Sequence, residues 1–536
     1  MKEACMASQS GGVDRRAFLR LVAASAMSAA MPGIVGAGET KEKRPNILII
    51  LADDMGFSDI GCYGGEIATP NLDWLAGNGL RFRQFYNSAR CCPTRACLLT
   101  GLYPQQAGVG HMVEDKGKPG YRGSLNDSCV TIAEALKPAG YHPLMVGKWH
   151  VGSDRPHWPT DRGFERHWGL VSGASNYYKL DKGRVFADDD KSIDPTTEPG
   201  FYMTEAFSRR ALKWVDEYAG KADPFFMYLA YTSPHWPLHA LPEDIEKYRG
   251  KYMMGWDVLR EQRRRRMIEL GIIDESTKLT PRDERAPEWA SLPQKKKEEM
   301  ALRMSVYAAQ IDRMDQGIGR IIGKLREKDA LKDTLILFMA DNGGCAEAVN
   351  RGEAGAELGT KESFMSYGLP WANASNTPFR LYKHWVHEGG ISSPLVAYWE
   401  GHTKANTQTA EVSHLIDLMP TCMEAAGAEY PKEYKGKAIT PMEGKSLVPV
   451  LNGQERRGRE YIRWEHEGNR AIRQGKWKMV AVNGKKWELY DMSLDRAEMN
   501  NVAGGNAGKV EELAGLYEKW ATRCGVLSWA EVNKKG

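Results

Sequence analysis

Several features that would place this 536-residue chain in other protein classes are missing from it. It has no internal repeat and no low-complexity segment, which excludes solenoid, fibrous and disordered-linker architectures. Beyond residue 37, no apolar stretch approaches the ~20 residues that a transmembrane helix needs. The formal net charge is only +4, so charge gives no argument for nucleic-acid binding, and none is expected.

Cysteine is scarce and badly spaced for two common structural roles. The nine cysteines fall at irregular intervals, which does not describe a disulfide framework. Cys91, Cys92 and Cys97 lack the Cys-x-x-Cys spacing of a structural zinc site. We interpret most of the other cysteines as small buried hydrophobic residues.

The chain has enough apolar residues for a large core, since 42% of it is hydrophobic. Length alone suggests more than one domain, although single α/β domains can be this long. A run of four arginines at 263–266 is the strongest local concentration of charge. We interpret it as a solvated helix face.

The first 37 residues are predicted to be a twin-arginine-type signal peptide. Arg15 and Arg16 precede Ala-Phe-Leu, and a stretch of small apolar residues follows, with a cleavage site expected near 35–37. The alternative, a short membrane anchor, is disfavoured because this stretch is rich in Ala, Ser and Gly. We therefore expect an exported bacterial protein, periplasmic or extracellular, with the twin-arginine translocase as a partner and no stable membrane span.

Continuous apolar runs predict strands that are buried on both faces of a sheet. The predicted strands are residues 46–51, 145–146, 225–229 and 335–339. Patterns with helical spacing predict helices at 72–78, 131–137, 205–218 and 301–327. This alternation predicts an α/β fold with a large mixed, mostly parallel sheet sandwiched by helices. In such sheets, active sites lie beyond the carboxyl ends of the strands.

The composition changes twice along the chain. Residues 252–297 are highly charged and contain three prolines, which indicates an inserted helix and loop. After residue 454, short alternating segments within 461–492 predict an antiparallel sheet, and 510–522 predicts a helix. We therefore predict a main domain at 38–454 and a small α+β C-terminal subdomain at 455–536.

Oxygen ligands follow two of the predicted strands. Asp53 and Asp54 follow the first strand, and Asp341 and Asn342 follow the strand at 335–339. Three carboxylates and one amide favour Ca²⁺ or Mg²⁺ over zinc. The alternative is local: Asp53 and Asp54 cap a helix, and Asp341 begins an Asx turn. The presence of both pairs favours the metal site.

The most informative stretch is residues 91–101, which has the form Cys-x-Pro-Ser/Thr-Arg-x-x-x-Leu-Thr-Gly. Pro93 is typical of the first turn of a helix, so Cys91 would lie beside free backbone N–H groups that favour an anion. Arg95 could offer the same anion a planar guanidinium. The alternative, a buried thiol at a helix cap, does not explain the match through Thr100 and Gly101.

Four further motifs follow in the order found in a known family. They are Gly147-Lys148-Trp149-His150, Ser233-Pro234-His235-Trp236-Pro237, Lys383 with Glu388-Gly389-Gly390, and Leu489-Tyr490-Asp491. The chain from residue 44 to 503 resembles the type I, formylglycine-dependent sulfatases of the alkaline phosphatase superfamily, and most closely the bacterial arylsulfatases. The family more often has Arg-Val-Pro near 391–394, and this departure lies outside the chemistry.

The resemblance implies a fold, a cofactor set and a reaction. The fold would be alkaline phosphatase-like, with catalysis in the domain at 38–454. A maturase would oxidise Cys91 to formylglycine, an aldehyde whose hydrate attacks sulfur. Ca²⁺, with Mg²⁺ as the alternative, would be held by Asp53, Asp54, Asp341, Asn342 and an oxygen of the modified Cys91.

The same resemblance assigns roles to five other side chains. Arg95 and Lys148 would hold the sulfate, and His150 would take a proton from the second hydroxyl of the hydrate. His235 would face the leaving oxygen, and Lys383 would contact the sulfate and help to protonate the leaving group. The expected activity is hydrolysis of a sulfate monoester, aryl or carbohydrate, including a sulfated glycan, to an alcohol and inorganic sulfate.

Two other functions remain open from the sequence. A phosphonate or phosphate ester hydrolase of the same superfamily can share formylglycine and a similar metal site. A non-catalytic protein that binds sulfated glycans would carry an unconverted Cys91. Binding alone does not need His150 beside an oxidisable cysteine, which argues against the second alternative.

Overall fold

A fully buried strand, β1 (Asn46–Ala52), lies in the middle of a large sheet. The computed structural model describes residues 44–456 and 458–534, so the predicted signal peptide at 1–37 lies outside the described residues. The apolar run of β1 suits a central strand, because both of its faces are covered. Leu48 and Ile50 belong to one core cluster, and Ile47 and Ile49 belong to another.

Ten more strands complete this sheet in the described residues. They are β2 (Leu80–Tyr86), β3 (His142–Gly147), β4 (Arg166–Leu170), β5 (Phe186–Asp188), β6 (Lys191–Ile193), β7 (Phe225–Ala230), β8 (Thr334–Ala340), β9 (Ser392–Tyr398), β10 (Thr407–Thr409) and β11 (Ser413–His414). The order is β10-β2-β9-β8-β1-β7-β3-β4-β5-β6, and β11 pairs with β2. The central strands β8, β1, β7, β3 and β4 are parallel, and β9 is antiparallel to both of its neighbours.

Helices cover both faces of the sheet. The helices are α1 (Pro70–Gly77), α2 (Cys91–Thr100), α3 (Ile132–Leu136), α4 (Met203–Tyr218), α5 (Pro242–Glu246), α6 (Gly255–Glu269), α7 (Gln294–Glu327), α8 (Leu369–Ser375), α9 (Glu388–Ile391), α10 (Leu418–Ala425), α11 (Val448–Leu451), α12 (Ala507–Cys524) and α13 (Trp529–Val532). Trp214 of α4 and Ile318 of α7 pack on one face, and Leu98 of α2 and Ile132 of α3 pack on the other. The predicted sandwich of a mostly parallel sheet between helices is confirmed.

A second, antiparallel sheet lies near the carboxyl end of the chain. Its strands are β14 (Ile462–His466), β15 (Asn469–Gln474), β16 (Trp477–Ala481) and β17 (Glu488–Asp491), in that order, and a two-stranded ladder precedes it, β12 (Glu433–Tyr434) with β13 (Lys437–Ala438). Leu513 and Trp520 of α12 pack into the core cluster that also holds Ile472 of β15. The predicted small antiparallel sheet is confirmed, while the domain boundary at 454/455 stays a prediction.

The arginine run at 263–266 does not lie wholly in solvent. Arg263 is buried on α6, with a guanidinium nitrogen 2.6 Å from Asp59 Oδ1 and another 2.8 Å from Glu66 Oε2. Successive helical residues point about 100° apart, so four in a row cannot share one face. The solvated-face interpretation is therefore wrong for Arg263, although Arg265 and Arg266 are exposed.

No helix within residues 44–456 and 458–534 combines the length and apolar character needed to cross a bilayer.

Candidate active site

The carboxylates at the strand ends come together because β1 and β8 are parallel neighbours in matching register. Ala52 pairs with Ala340, which places Asp53 and Asp341 side by side one residue later. The backbone N–H of Asp54 donates to Asp341 Oδ1 at 3.1 Å. Asp54 itself adopts a left-handed backbone (φ 63°), a conformation that aspartate tolerates better than most residues. Two consecutive carboxylates are thus directed to one buried point.

One side of this point is lined by Asp53, Lys148 and Arg95. The Lys148 ammonium lies 2.6 Å from Asp53 Oδ2. One Arg95 nitrogen lies 3.0 Å from Asp341 Oδ2, and another donates to the backbone oxygen of Lys148 at 2.8 Å. Burial opposes ionisation of Asp53, but Lys148, His235 and Arg95 outweigh it, so the pKa of Asp53 is lowered. These two cations are buried where an anionic substrate would meet them.

The opposite side is lined by Asp54, Asn342, Lys383 and His235. The Lys383 ammonium lies 2.8 Å from Asp54 Oδ1 and 3.3 Å from His235 Nε2. Asn342 Nδ2 donates to Asp54 Oδ1 at 2.7 Å. Burial opposes the charge of Lys383, but Asp54 and nearby groups raise its pKa well above the usual value. Lys383 is therefore protonated, beside a histidine that can share its proton.

Cys91 is the first residue of α2, and its side chain is buried. Sγ of Cys91, Sγ of Cys92 and a ring nitrogen of His150 lie within 4.8 Å of one another. A hydrogen bond with Cys92, aided by Lys148 and His150, lowers the pKa of Cys91 well below its usual value against the effect of burial. The helix N-terminus favours negative charge at the same place.

His150 is held as a neutral imidazole. Burial lowers its pKa to about 4, against the effect of Cys91. The ring packs so closely on Gly173 that a Cβ there would lie 2.6 Å from Nε2. His150 has a left-handed backbone (φ 58°), a strained conformation of the kind that occurs at functional sites. A neutral imidazole beside residue 91 can accept a proton at ordinary pH.

The residues at the strand ends fit a hard cation. In the described part of the chain, Asp53 Oδ1 and Asn342 Oδ1 are buried acceptors without a hydrogen-bond partner. Burial and the neighbouring Asp53 charge raise the pKa of Asp341 well above its usual value, against the effect of Arg95. A divalent cation would supply what both orphaned oxygens lack and would let Asp341 ionise.

The structure brings all ten of the residues singled out from the sequence into one buried site. They are Asp53, Asp54, Cys91, Arg95, Lys148, His150, His235, Asp341, Asn342 and Lys383. The sequence analysis missed three side chains that line this site, those of Tyr228, Glu347 and Arg90. Tyr228 OH lies 3.4 Å from Arg95, and Glu347 accepts from Trp236 Nε1 at 2.9 Å while lying 3.4 Å from Arg90. Tyr228 lies in a strand that was predicted from its apolar run. Because every residue of that run is buried, the pattern did not show which side chains face the site.

Comparison with protein families decides the relationship. The sulfatase family model matches residues 45–428, and a second model, N-sulphoglucosamine sulphohydrolase, C-terminal, matches residues 379–518. The chain belongs to the sulfatase family. The resemblance inferred from the motifs is confirmed, and this sulfatase is a sulfuric ester hydrolase.

Named relatives and solved structures agree with this assignment. This sulfatase is 36% identical over 471 residues to an arylsulfatase of Klebsiella aerogenes, which covers 82% of this chain and 99% of the other. It is 33% identical over 530 residues to an uncharacterized sulfatase of Schizosaccharomyces pombe, covering 91% and 96%. The crystal structure of Ps i-CgsB in complex with k-i-k-neocarrahexaose superposes with a TM-score of 0.67 at 26% identity, covering 89% and 93%.

Proposed function

We propose that this sulfatase hydrolyses sulfate monoesters with a formylglycine formed from Cys91 and a Ca²⁺ ion bound beside it. One observation carries the proposal. Residue 91 begins a helix inside a buried ring of three cations, Arg95, Lys148 and Lys383, and two histidines. A dianionic or monoanionic ester group would find its charge matched there without water, which strengthens each interaction.

Asp53, Asp54, Asp341, Asn342 and an oxygen of the modified residue 91 would hold the metal ion. All of these donors are hard oxygens, and two of them are orphaned acceptors, which supports Ca²⁺, with Mg²⁺ as the alternative. Bound there, the ion would neutralise sulfate charge and polarise its oxygens. Lys148, Lys383 and Arg95 pair with the carboxylates. With the metal ion bound, these three cations would also interact with the sulfate of the substrate.

Conversion of Cys91 would supply a hydrated aldehyde, with one hydroxyl to attack sulfur and a second whose deprotonation drives release of sulfate. Arg95 and Lys148 would hold the sulfate on the side of Asp53. His150 would accept the proton of the second hydroxyl, since burial lowers its pKa to about 4 and the ring is therefore neutral, with a free lone pair, at ordinary pH.

His235 and Lys383 would serve the leaving oxygen. Their nitrogens are 3.3 Å apart and both lie against Asp54, which fixes their positions. Lys383 carries the proton, and His235 Nε2 can pass or receive it. This pair would donate a proton to the departing alcohol as the sulfur–oxygen bond breaks.

The leaving group would be an alcohol that carries a ring. Trp236 is partly buried, and its ring centroid lies 4.6 Å from that of His235. It offers a flat apolar surface next to the leaving oxygen, as a sugar or aryl ring requires. Arg351 lies over the same indole at 5.3 Å, which favours a sulfated glycan with further negative charge.

Conversion of Cys91 must precede folding, because its side chain is 2% exposed in the folded chain. A maturase would therefore act on the unfolded chain. Twin-arginine export carries folded proteins, so conversion would take place in the cytoplasm before export to the periplasm or the medium.

The test uses two measurements: a mass spectrum of the peptide that contains residue 91, and the ratio of activities on an aryl sulfate and an aryl phosphate. Protein from a host with the maturase should carry an aldehyde or its hydrate at residue 91 and should prefer an aryl sulfate to the phosphate of the same alcohol. Removal of the bound metal should abolish both turnover and sulfate binding. An intact thiol in fully active protein would contradict the proposal, and a preference for phosphate would favour the phosphoesterase alternative.

A further inference from the structure

A second group of metal-binding side chains lies outside the strand-end site. It consists of His111 in the loop between α2 and α3, His466 at the end of β14, and Glu467 in the turn to β15, and we call it the histidine cluster. One atom from each lies within 4.8 Å of the others. Nδ1 of His111 is 3.2 Å from Glu467 Oε1, and Nε2 of His466 is 3.5 Å from the same oxygen.

His466 has no structural explanation as an isolated imidazole. Its side chain is fully buried, yet among the residues that the structure describes neither ring nitrogen makes a hydrogen bond, and Nδ1 of His111 makes none either, although Glu467 Oε1 is 3.2 Å away. Buried polar atoms in folded proteins are nearly always satisfied, so an unsatisfied ring calls for a ligand or a functional reason. Nε2 of His466 lies 3.5 Å from Glu467 Oε1, so its lone pair is available to a cation held between the two side chains.

Two imidazoles and one carboxylate are the donors that zinc and its neighbours prefer. The strand-end site, by contrast, offers oxygens alone. Glu467 lies between the two imidazoles and offers them one carboxylate oxygen.

His384 positions the carboxylate of Glu467. Asn469 Nδ2 lies 3.2 Å from Nε2 of His384 and can only donate, so Nε2 accepts. The ring proton is therefore on Nδ1, which lies 3.1 Å from Glu467 Oε2 and donates to it. Such outer contacts orient the ligands of metal sites.

We propose that His111, His466 and Glu467 bind a divalent transition-metal ion, Zn²⁺ in the first place, with His384 as a positioning residue. His111 and Glu467 are 13% and 18% exposed, which leaves an entry path for the ion. The site adjoins the reaction centre, because His384 follows Lys383 and its backbone N–H donates to Ala89 O at 2.7 Å. The ion would tie the β14–β15 turn to the loop that carries His111.

The test measures zinc directly. Full-length protein with Cys91→Ser and Cys92→Ser, which removes the thiols beside His150, is stripped with a chelator and resupplied with saturating Ca²⁺. Calorimetric titration with Zn²⁺ should show one site per chain, and Co²⁺ should give a visible absorption band with imidazole ligation. His384→Ala should weaken zinc binding by about 10- to 100-fold, the scale of lost outer-shell contacts.

His111→Ala and Glu467→Gln should each abolish the zinc site and the cobalt band. Both residues are partly exposed, so these variants avoid the fully buried His466, and circular dichroism would verify their fold. The matched control is His402→Ala, since His402 is exposed and stacks on Trp399 at 3.5 Å, away from the cluster. Absence of saturable zinc binding, or binding unchanged in both variants, would overturn the proposal. So would a raised KM for an aryl sulfate when His111→Ala is made in the enzyme with Cys91 intact, if that enzyme binds no zinc at the cluster, because the cluster would then be a substrate contact.

Discussion

The reaction centre and the histidine cluster are neighbours that the fold builds in different ways. The reaction centre takes its carboxylates from the ends of β1 and β8 and its residue 91 from the start of α2. The histidine cluster takes its side chains from a loop, from the last residue of β14 and from the turn to β15. The first uses hard oxygens and cations, and the second uses imidazoles with one carboxylate. The reaction centre therefore carries family motifs that can be recognised in the sequence. The histidine cluster has no such motif, because its residues come from separate parts of the chain.

The largest loss of activity is expected for substitution of Cys91, which belongs to the reaction centre and not to the histidine cluster. Cys91→Ser should lower kcat by more than about 10³-fold, the scale for loss of an enzyme nucleophile, because serine is not converted by a cysteine-type maturase. Steady-state hydrolysis of an aryl sulfate would measure it. Cys97→Ser is the matched control, since Cys97 Sγ already lies 3.2 Å from the hydroxyl of Ser88. Full turnover by the Cys91 variant without aldehyde would sink the scheme.

His150→Ala should stall the reaction after its first half. Alcohol should appear at about one equivalent per site, with the following turnover slowed by about 10²- to 10⁴-fold, the range for loss of a general base. Rapid mixing with an aryl sulfate, followed by a mass spectrum of the residue-91 peptide, would detect retained sulfate. Equal slowing of the burst and of the steady state would contradict the role given to His150.

The roles of Lys148 and Lys383 should be distinguishable with substrates that differ in their leaving alcohol. Lys148→Met and Lys383→Met should each cost about 10²- to 10³-fold in kcat/KM, as expected for removed electrostatic contacts. The Lys383 loss should shrink for esters of more acidic alcohols, because these need no proton. The Lys148 loss should stay constant across the series. A plot of rate against alcohol pKa for both variants would show it, and parallel slopes would refute the division of labour.

Buried histidines should make the fold less stable in acid. Burial lowers the pKa of His167 and of His414 to about 3 from the usual 6.5. The unfolded chain therefore binds more protons below pH 6.5, and stability falls as pH drops from 6.5 toward 3. Each group contributes at most about 1.4 kcal/mol per pH unit in that window. Thermal unfolding of His167→Gln should depend less steeply on pH than that of the parent, and exposed His402→Ala should not differ from it.

Much of the fold follows from local patterns. The predicted strand at 335–339 became Thr334–Ala340, and the helix at 301–327 became Gln294–Glu327, which starts earlier because Pro293 ends the preceding loop. Strands β2, β4, β5, β6, β9, β10 and β11 of the large sheet were missed. β2 contains Arg81 and Arg83, and such a mixed strand gives a weaker signal than a continuous apolar run.

The sequence by itself determined the residues of the reaction centre, because each belongs to a short motif, and several of these motifs lie at a strand end or at the start of a helix. Only the tertiary structure decided the pairing of Asp53 with Lys148 and of Asp54 with Lys383, since these residues lie far apart in the chain. It also decided the burial of Arg263 and the meeting of His111 with Glu467. Such contacts depend on how loops close over the core, and no local period in the sequence records that geometry.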